Sequence, residues 1–376
     1  MVLMKLLFVI TSTDVGGAER ALADLALSLH TQHEVHIISL RKVGEVGRHL
    51  QAEGIPVASL DMNAWNQVFI PGRIRRFIRS WKPDIIHAML FRAIEFTRLA
   101  VFGMRVRLVT TPHYDLSKKS SFSRFVDKSL RELDCITVAE SFSTARYLTE
   151  KQGYAKQKVY LLPNGVSPKL FFKDETLRKL MREKHNIAPE QVVFLSVSRL
   201  AAVKNTIVQL QALRNVLRNH ANAKLVLVGE GPQRARLEEY IYLNALQDTV
   251  LLAGEQTDIN AWLNMADVFV LSSEEESLPL ALLEALQAGL PCLVSRVGDM
   301  PVWVEHGQNG FVFTPHDITL LSCLMSELMD VNVRDRLGKG SLQKALQIRD
   351  TSQQYQQVYQ QIVTQGFHVE TKNPGK

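Results

Sequence analysis

An α/β fold of two doubly wound domains is predicted for this chain by three observations. Short Val/Ile/Leu-rich runs lack polar alternation, helical patterns separate them, and after one break the alternation starts again. Apolar strands alternating with helices form a parallel sheet covered on both faces. A chain of 376 residues is also too long for one ordinary core, which makes two domains the expectation.

The first strand is Lys5–Ile10, running into Asp14-Val15-Gly16-Gly17. In the helix Ala18–His30, Leu22, Leu25, Ala26 and Leu29 make one apolar stripe. Strands follow at Glu34–Ser39, Asp84–His87, Arg107–Thr111, Cys135–Val138 and Val159–Leu162. Pro163-Asn164-Gly165 breaks the pattern, and Lys169–Glu190 is charged and poorly patterned. The alternation resumes with strands at Val192–Val197, Lys224–Val228, Thr249–Ala253, Val268–Leu271 and Pro291–Ser295. Ser352–Gln365 reads as a polar amphipathic helix with no strand after it. The expected division is 1–168, 169–350 and a terminal helix and tail over 351–376. Two doubly wound domains are expected to face each other across a cleft, with ligands outside the carboxyl ends of their strands.

Hydrophobic residues make up 46% and charged residues 22% of the chain, a balance that excludes disordered and membrane-spanning classes. Cys135, Cys292 and Cys323 are odd in number and far apart, which fits neither a disulfide framework nor a zinc cluster. The opening MVLMKLLFVITST has a short apolar run and no small-residue cleavage site, so it reads as a buried strand and not a signal peptide. No run reaches the length of a transmembrane helix. A cytoplasmic protein is the expectation, peripheral on the inner face of the cytoplasmic membrane if its basic face binds lipid. That face comes from the charge: between Trp65 and Arg131 there are 14 Lys or Arg against 4 Asp or Glu. Within it, Phe69–Trp81 mixes Ile70, Ile74, Phe77, Ile78 and Trp81 with Arg73, Arg75, Arg76 and Arg79. Such a helix can lie on an anionic bilayer, or pack normally with a solvated basic face. No nucleic-acid-binding motif accompanies it.

Four groups of residues carry chemistry. Gly16 and Gly17, between a strand and a helix, let backbone N–H groups approach a ligand, although a plain tight turn uses the same residues. Neither this loop nor Gly229-Glu230-Gly231 completes a dinucleotide fingerprint, and Gly338-Lys339-Gly340-Ser341 is no P-loop. Arg199 and Lys204 follow a buried strand near the start of a helix. Cations there oppose the helix dipole, so helix stability does not explain them; a bound anion would, and a solvated surface is the alternative. Glu274, Glu275 and Glu276 precede Pro279, expected as the first helical residue; acids at a helix N-terminus favour the dipole. Glu284 has no such reason, since it lies inside the apolar run Leu280–Leu286 and needs a partner, such as ribose hydroxyls. The backbone N–H groups of 277–280 are a further phosphate cradle. His87 and His113 both close strands, and a packed histidine is the alternative for each. No third partner completes a metal site with them.

Together these residues resemble the family 4 retaining glycosyltransferases. The specific signal is Glu276 through Glu284, an E-x7-E pattern with Pro279 inside. Around it stand Gly16-Gly17-Ala18-Glu19-Arg20, Thr111-Pro112-His113, Pro163-Asn164-Gly165-Val166, Arg199-Leu200 with Lys204, Gly229-Glu230-Gly231 and Gly289-Leu290-Pro291. The resemblance runs in order along nearly the whole chain.

It implies the GT-B architecture, with the final helix crossing back to the amino-terminal, acceptor-binding domain. It further implies that Arg199 and Lys204 bind the diphosphate of a nucleotide-sugar, with a UDP-sugar the donor expected for this chain. Glu284 would take the ribose hydroxyls and Glu276 those of the transferred sugar, with Ser277, Leu278, Pro279 and Leu280 lining the donor. Gly16 and Gly17 would approach the phosphates or sugar, and His113 would lie near the reacting carbon. The catalytic set is then His113, Arg199, Lys204 and Glu276. No metal or other cofactor is expected, the cations replacing a divalent ion. The acceptor would be a glycan or lipid-linked precursor of a cell-surface polysaccharide, of lipopolysaccharide type.

Two departures stand out: Ser277 where the family commonly has Gly after the first Glu, and Ser198 where Gly often precedes the Arg. Neither removes a charge. Two other readings remain open at this level, a non-hydrolysing UDP-sugar epimerase of the same fold and a non-catalytic membrane-surface binding protein.

Overall fold

The computed structural model describes residues 3–113, 120–167 and 170–365. Tyr114 and Asp115, which follow His113, lie outside the described residues, as do Lys169 and the tail from 366. The chain divides into two compact units, Met1–Pro163 with Thr351–Lys376, and Asn164–Asp350. The second unit begins before residue 169 for a visible reason. Asn164 Nδ2 donates to Leu278 O at 2.9 Å, and Val166 O accepts from Gln287 Nε2 at 3.1 Å.

The first unit carries seven strands: β1 Lys5–Ile10, β2 Glu34–Ser39, β3 Val57–Ser59, β4 Ile85–Met89, β5 Leu108–Thr111, β6 Ile136–Ala139 and β7 Val159–Leu161. Their order is β3-β2-β1-β4-β5-β6-β7, and the recorded pairings are parallel. Alternate side chains feed opposite faces, as a pleated strand requires. Leu6, Phe8 and Ile10 enter one apolar cluster, and Leu7 and Val9 the other.

The second unit has six strands: β8 Val192–Val197, β9 Ala223–Val228, β10 Val250–Gly254, β11 Val268–Leu271, β12 Cys292–Ser295 and β13 Gly310–Phe313. Their order is β10-β9-β8-β11-β12-β13, again parallel and again with a cluster on each face. Each sheet therefore reverses its winding beside its first strand, at β1/β4 and at β8/β11. Such a switch point opens a crevice at the strand ends.

Three elements differ from the sequence reading. The short edge strands β3 and β13 were not anticipated. The stretch expected to be poorly patterned contains a helix, Glu175–Lys184, capped by Asp174, whose carboxylate accepts from the N–H groups of Thr176 and Leu177.

The last helix, Thr351–Gln365, belongs to the first unit. Its Tyr355, Val358, Tyr359 and Ile362 are buried in the cluster that holds Leu6 and Phe8. His87 anchors it: Nδ1 lies 2.6 Å from Tyr359 Oη, and Nε2 lies 2.7 Å from Thr111 Oγ1. Thr111 Oγ1 is in turn 3.2 Å from Tyr355 Oη. His87 is thus a packed histidine with both ring nitrogens satisfied.

The basic segment is also partly internal. Arg98 is buried, with Nη1 2.7 Å from Asp127 and Nη2 2.5 Å from Asp134. On the helix Ile70–Trp81, Ile70, Ile74 and Ile78 face the core. The two aromatics expected on a membrane face do not project. Trp81 stacks on His36 at 4.4 Å between ring centroids, and Phe77 packs against the same ring at 5.7 Å. Arg75 is spent on the carbonyls of Ala100 and Phe102, both at 2.8 Å. The exposed apolar side chains lie next door, at Trp65 (91% exposed), Val68, Phe69 and Phe102.

Candidate active site

In the second unit, the chemistry gathers at the β8/β11 switch point. Strand β8 ends at Val197, and the chain runs through Arg199 to a short 3-10 turn, Ala202–Lys204, before the helix Ile207–Val216. Arg199 is exposed. Its loop is packed hard against the next crossover: a side chain at Gly229 would meet Ser198 O, and one at Gly231 would meet Leu200 O. Gly229 (φ +133°) and Gly231 (φ +157°) also hold backbone conformations that L side chains rarely adopt. Those glycines thus let two strand-end loops touch, which is a reason for the Gly-Glu-Gly pattern independent of phosphate.

Lys204 and Glu276 are ion-paired through Nζ and Oε1, with side chains 23% and 11% exposed. Two neighbouring serines at the end of β11, both fully buried, hold the pair in place. Ser272 Oγ donates to Lys204 O (3.1 Å) and Asn205 O (3.0 Å), and it accepts from buried Gln209 Nε2 at 2.8 Å. Ser273 Oγ donates to Glu276 Oε1 at 2.8 Å, while Ser273 O accepts from Ser295 Oγ at 2.6 Å. Glu274 N donates to Val203 O at 2.8 Å, so the two turns are bonded to each other directly. A mount of this kind fixes the cation and the carboxylate before any ligand arrives.

Beyond Glu276, Gly298 (φ +53°) passes so close that a side chain would strike the carbonyls of Glu276 and Ser277. Asp299 N donates to Ser277 O at 2.9 Å. Pro279 has β-region dihedrals and precedes the helix Leu280–Gln287 as its N-cap, one step earlier than the sequence reading had it. Proline has no N–H, so it is absent from the proposed amide cradle of 277–280. Leu278 is buried, and Glu284 lies on that helix only 2% exposed. Glu274 instead pairs with His316, Nε2 to Oε1 at 3.5 Å, on the exposed side.

The other expected residues belong to the first unit. Gly16 is the N-cap of the helix Gly17–His30. His113 follows β5 with φ +49°, a conformation that non-glycine residues adopt mainly at special sites. Its Nδ1 lies 3.9 Å from Glu140 Oε1. Its Nε2 is buried and has no hydrogen-bond partner among the described residues. Glu19 and Glu140 stand beside these residues and were given no role from sequence, although Glu140 directly follows β6 and Glu19 lies in the first turn of the helix after the glycine pair. Burial raises the Glu19 carboxyl above its ordinary value, against hydrogen bonds from its own N–H and from Ser12 and the nearby His113 charge, which lower it. Among the described residues, no group of three or more His, Cys, Asp or Glu is arranged to hold a metal ion.

Comparison with known proteins agrees with this architecture. Residues 15–170 match Glycosyltransferase Family 4, and residues 178–343 match Glycosyl transferases group 1. The N-acetyl-alpha-D-glucosaminyl L-malate synthase of Bacillus anthracis is 26% identical over 74% of this chain and 75% of its own length. The GalNAc-alpha-(1->4)-GalNAc-alpha-(1->3)-diNAcBac-PP-undecaprenol alpha-1,4-N-acetyl-D-galactosaminyltransferase of Campylobacter jejuni is 29% identical over 85% of each chain. Among solved structures, Anabaena HepE in complex with UDP and glucose superposes with a TM-score of 0.85, at 22% identity, over 96% of this chain and 100% of that one. The fold is that of GT-B glycosyltransferases, two Rossmann-like units each built on a parallel sheet.

Proposed function

Because this chain belongs to glycosyltransferase family 4, we propose that it transfers a sugar, with retention, from a UDP-sugar to a glycan or lipid-linked acceptor. The observation that carries the donor half of this reading is the mounted Lys204–Glu276 pair beside Arg199, with Glu284 buried on the helix that follows. A diphosphate would draw Lys204 and Arg199, and the sugar hydroxyls would take over Glu276 as Lys204 turns to the phosphate. Glu284 would accept from the ribose hydroxyls. Support for uridine comes from HepE, whose complex holds UDP and glucose. Support for a lipid-linked acceptor comes from the PP-undecaprenol in the name of the Campylobacter relative. The synthesis of a cell-surface polysaccharide is the setting that both fit.

A panel of UDP-, GDP- and ADP-sugars tests the donor by thermal shift, since a ligand that binds only the native state raises Tm by mass action. A UDP-sugar is expected to give the largest shift, and its turnover is expected to survive EDTA. Turnover abolished by EDTA and restored by Mg2+ or Mn2+ would overturn the metal-free reading.

The protein has no helix among its described residues that is long and apolar enough to cross a membrane. Peripheral docking is the reading we adopt, through Trp65, Val68, Phe69 and Phe102 together with the exposed Arg76 and Arg79. Aromatics at an interface resist salt, whereas arginines near an anionic surface contribute about 1 kcal/mol each and weaken with salt. Binding to anionic liposomes, little to neutral ones, and loss on combining Trp65→Ser and Phe69→Ser with Arg76→Gln and Arg79→Gln are expected in co-sedimentation. Equal binding to both vesicle types, or none to either, would reject the docking.

A further inference from the structure

At the strand ends of the first unit, the glycine turn does not present an open helix terminus. The Glu19 carboxylate curls back beside Gly16, where any side chain on residue 16 would collide with Oε2. Ser12 Oγ donates to Glu19 Oε1 at 3.0 Å. A carboxylate therefore occupies the place at a helix N-terminus where a phosphate would otherwise sit. His113, whose backbone is held at φ +49°, brings its ring to the same strand ends, with Glu140 (3% exposed) on its Nδ1 side. His113 thus has one carboxylate on its Nδ1 side, lies within electrostatic reach of a second at Glu19, and keeps a buried Nε2 with no hydrogen-bond partner among the described residues.

Such a site repels anions and attracts groups that donate hydrogen bonds. We propose that Glu19, His113 and Glu140 form a hydroxyl-reading site, in which the hydroxyl of the acceptor donates to carboxylate oxygen and the open His113 nitrogen contacts the same acceptor. This rests on the glycosyltransferase reading, and it changes what Gly16 and Gly17 do. Their lack of side chains makes room for the Glu19 carboxylate, and no phosphate is bound there. Water can take the place of the acceptor hydroxyl when a donor is hydrolysed without acceptor.

The test uses the full chain and the nucleotide-sugar that gives the largest thermal shift. Glu19→Gln keeps an oxygen for the helix end, and Glu19→Ala removes it. Both are measured for donor-induced thermal shift, for donor hydrolysis in water, and for transfer to a set of methyl glycosides. In Glu19→Ala, hydrolysis and transfer are expected to fall roughly 10- to 100-fold in kcat. The donor-induced shift and the donor KM are expected to stay within twofold. Glu19→Gln is expected to lie between Glu19→Ala and wild type. Unchanged kcat in Glu19→Ala would reduce Glu19 to a helix cap and overturn the proposal. So would a fall in donor-induced shift as large as the fall in rate. Absence of any donor-induced shift in wild type would instead count against the donor reading and so against the premise of this site.

Discussion

Lys204→Ala is expected to lower kcat/KM for donor turnover by roughly 10- to 150-fold, and Arg199→Ala by a similar factor. The estimate follows from about 1.5–3 kcal/mol for a hydrogen bond to a charged group, at a tenfold rate change per 1.36 kcal/mol. Lys204 should show the larger effect of the two. It is largely buried and its backbone carbonyl is held by Ser272, whereas Arg199 is exposed on its loop. A cation whose backbone is already held loses less entropy when its head turns to the diphosphate. Removing Lys204 also strips the Glu276 carboxylate of its cation while keeping the Ser273 hydroxyl that donates to it. Glu284→Ala, by contrast, should raise the donor KM more than it lowers kcat, because the ribose does not react. Steady-state kinetics on the three variants check this, and near-normal kinetics in both cation variants would place the site elsewhere.

The second large effect is on stability. Tyr359→Ala is expected to cost about 3–5 kcal/mol, as for other fully buried aromatics, by opening a cavity under the last helix. It also leaves the His87 Nδ1 without its partner. Burial, and secondarily the charge of His113, hold His87 down to about 3. In the unfolded chain a histidine titrates near 6.5. Above that pH both states are neutral and the full stability is present. As pH falls from 6.5 towards 3, the unfolded chain takes up a proton that the folded one refuses. Stability is then lost, by roughly 2 kcal/mol at pH 5. His33, His36 and His185 are also lowered by burial, so the wild-type curve alone does not isolate His87. The difference between wild type and His87→Gln does. Thermal denaturation between pH 7.5 and 5 should show a shallower fall for the variant, and parallel curves would contradict the assignment.

Much of the fold was legible because buried parallel strands are short apolar runs, and Lys5–Ile10, Glu34–Ser39, Val192–Val197 and Val268–Leu271 occur with the bounds read from sequence. What was lost lay at the margins. β3 is three residues long and β13 follows directly on Gly307-Gln308-Asn309, and both are edge strands with a neighbour on one side alone. The helix Glu175–Lys184 escaped notice because so few of its side chains are apolar; its buried members include Arg182.

The site was legible to the extent that its parts follow strands. Lys204 stood out as a cation following a strand and Glu276 through the E-x7-E resemblance, and the fold brings the two, 72 positions apart, into contact. The same rule flagged His87 for the wrong reason, because its partner Tyr359 lies 272 positions away and no local pattern reveals it. Periodicity put Phe77 and Trp81 on one helix but could not show His36 of β2 waiting beneath them. Ser272 and Ser273 carry no chemical signal of their own in the sequence, and their hydrogen bonds make them the mount of the ion pair.

The most direct test of the whole account is calorimetric titration of UDP and of uridine, in EDTA, into wild type and Lys204→Ala. The account predicts that wild type binds UDP well and uridine far more weakly, and that this difference shrinks by roughly 10-fold or more in Lys204→Ala. Equal affinity for UDP and uridine, or a UDP affinity untouched by the substitution, would contradict it.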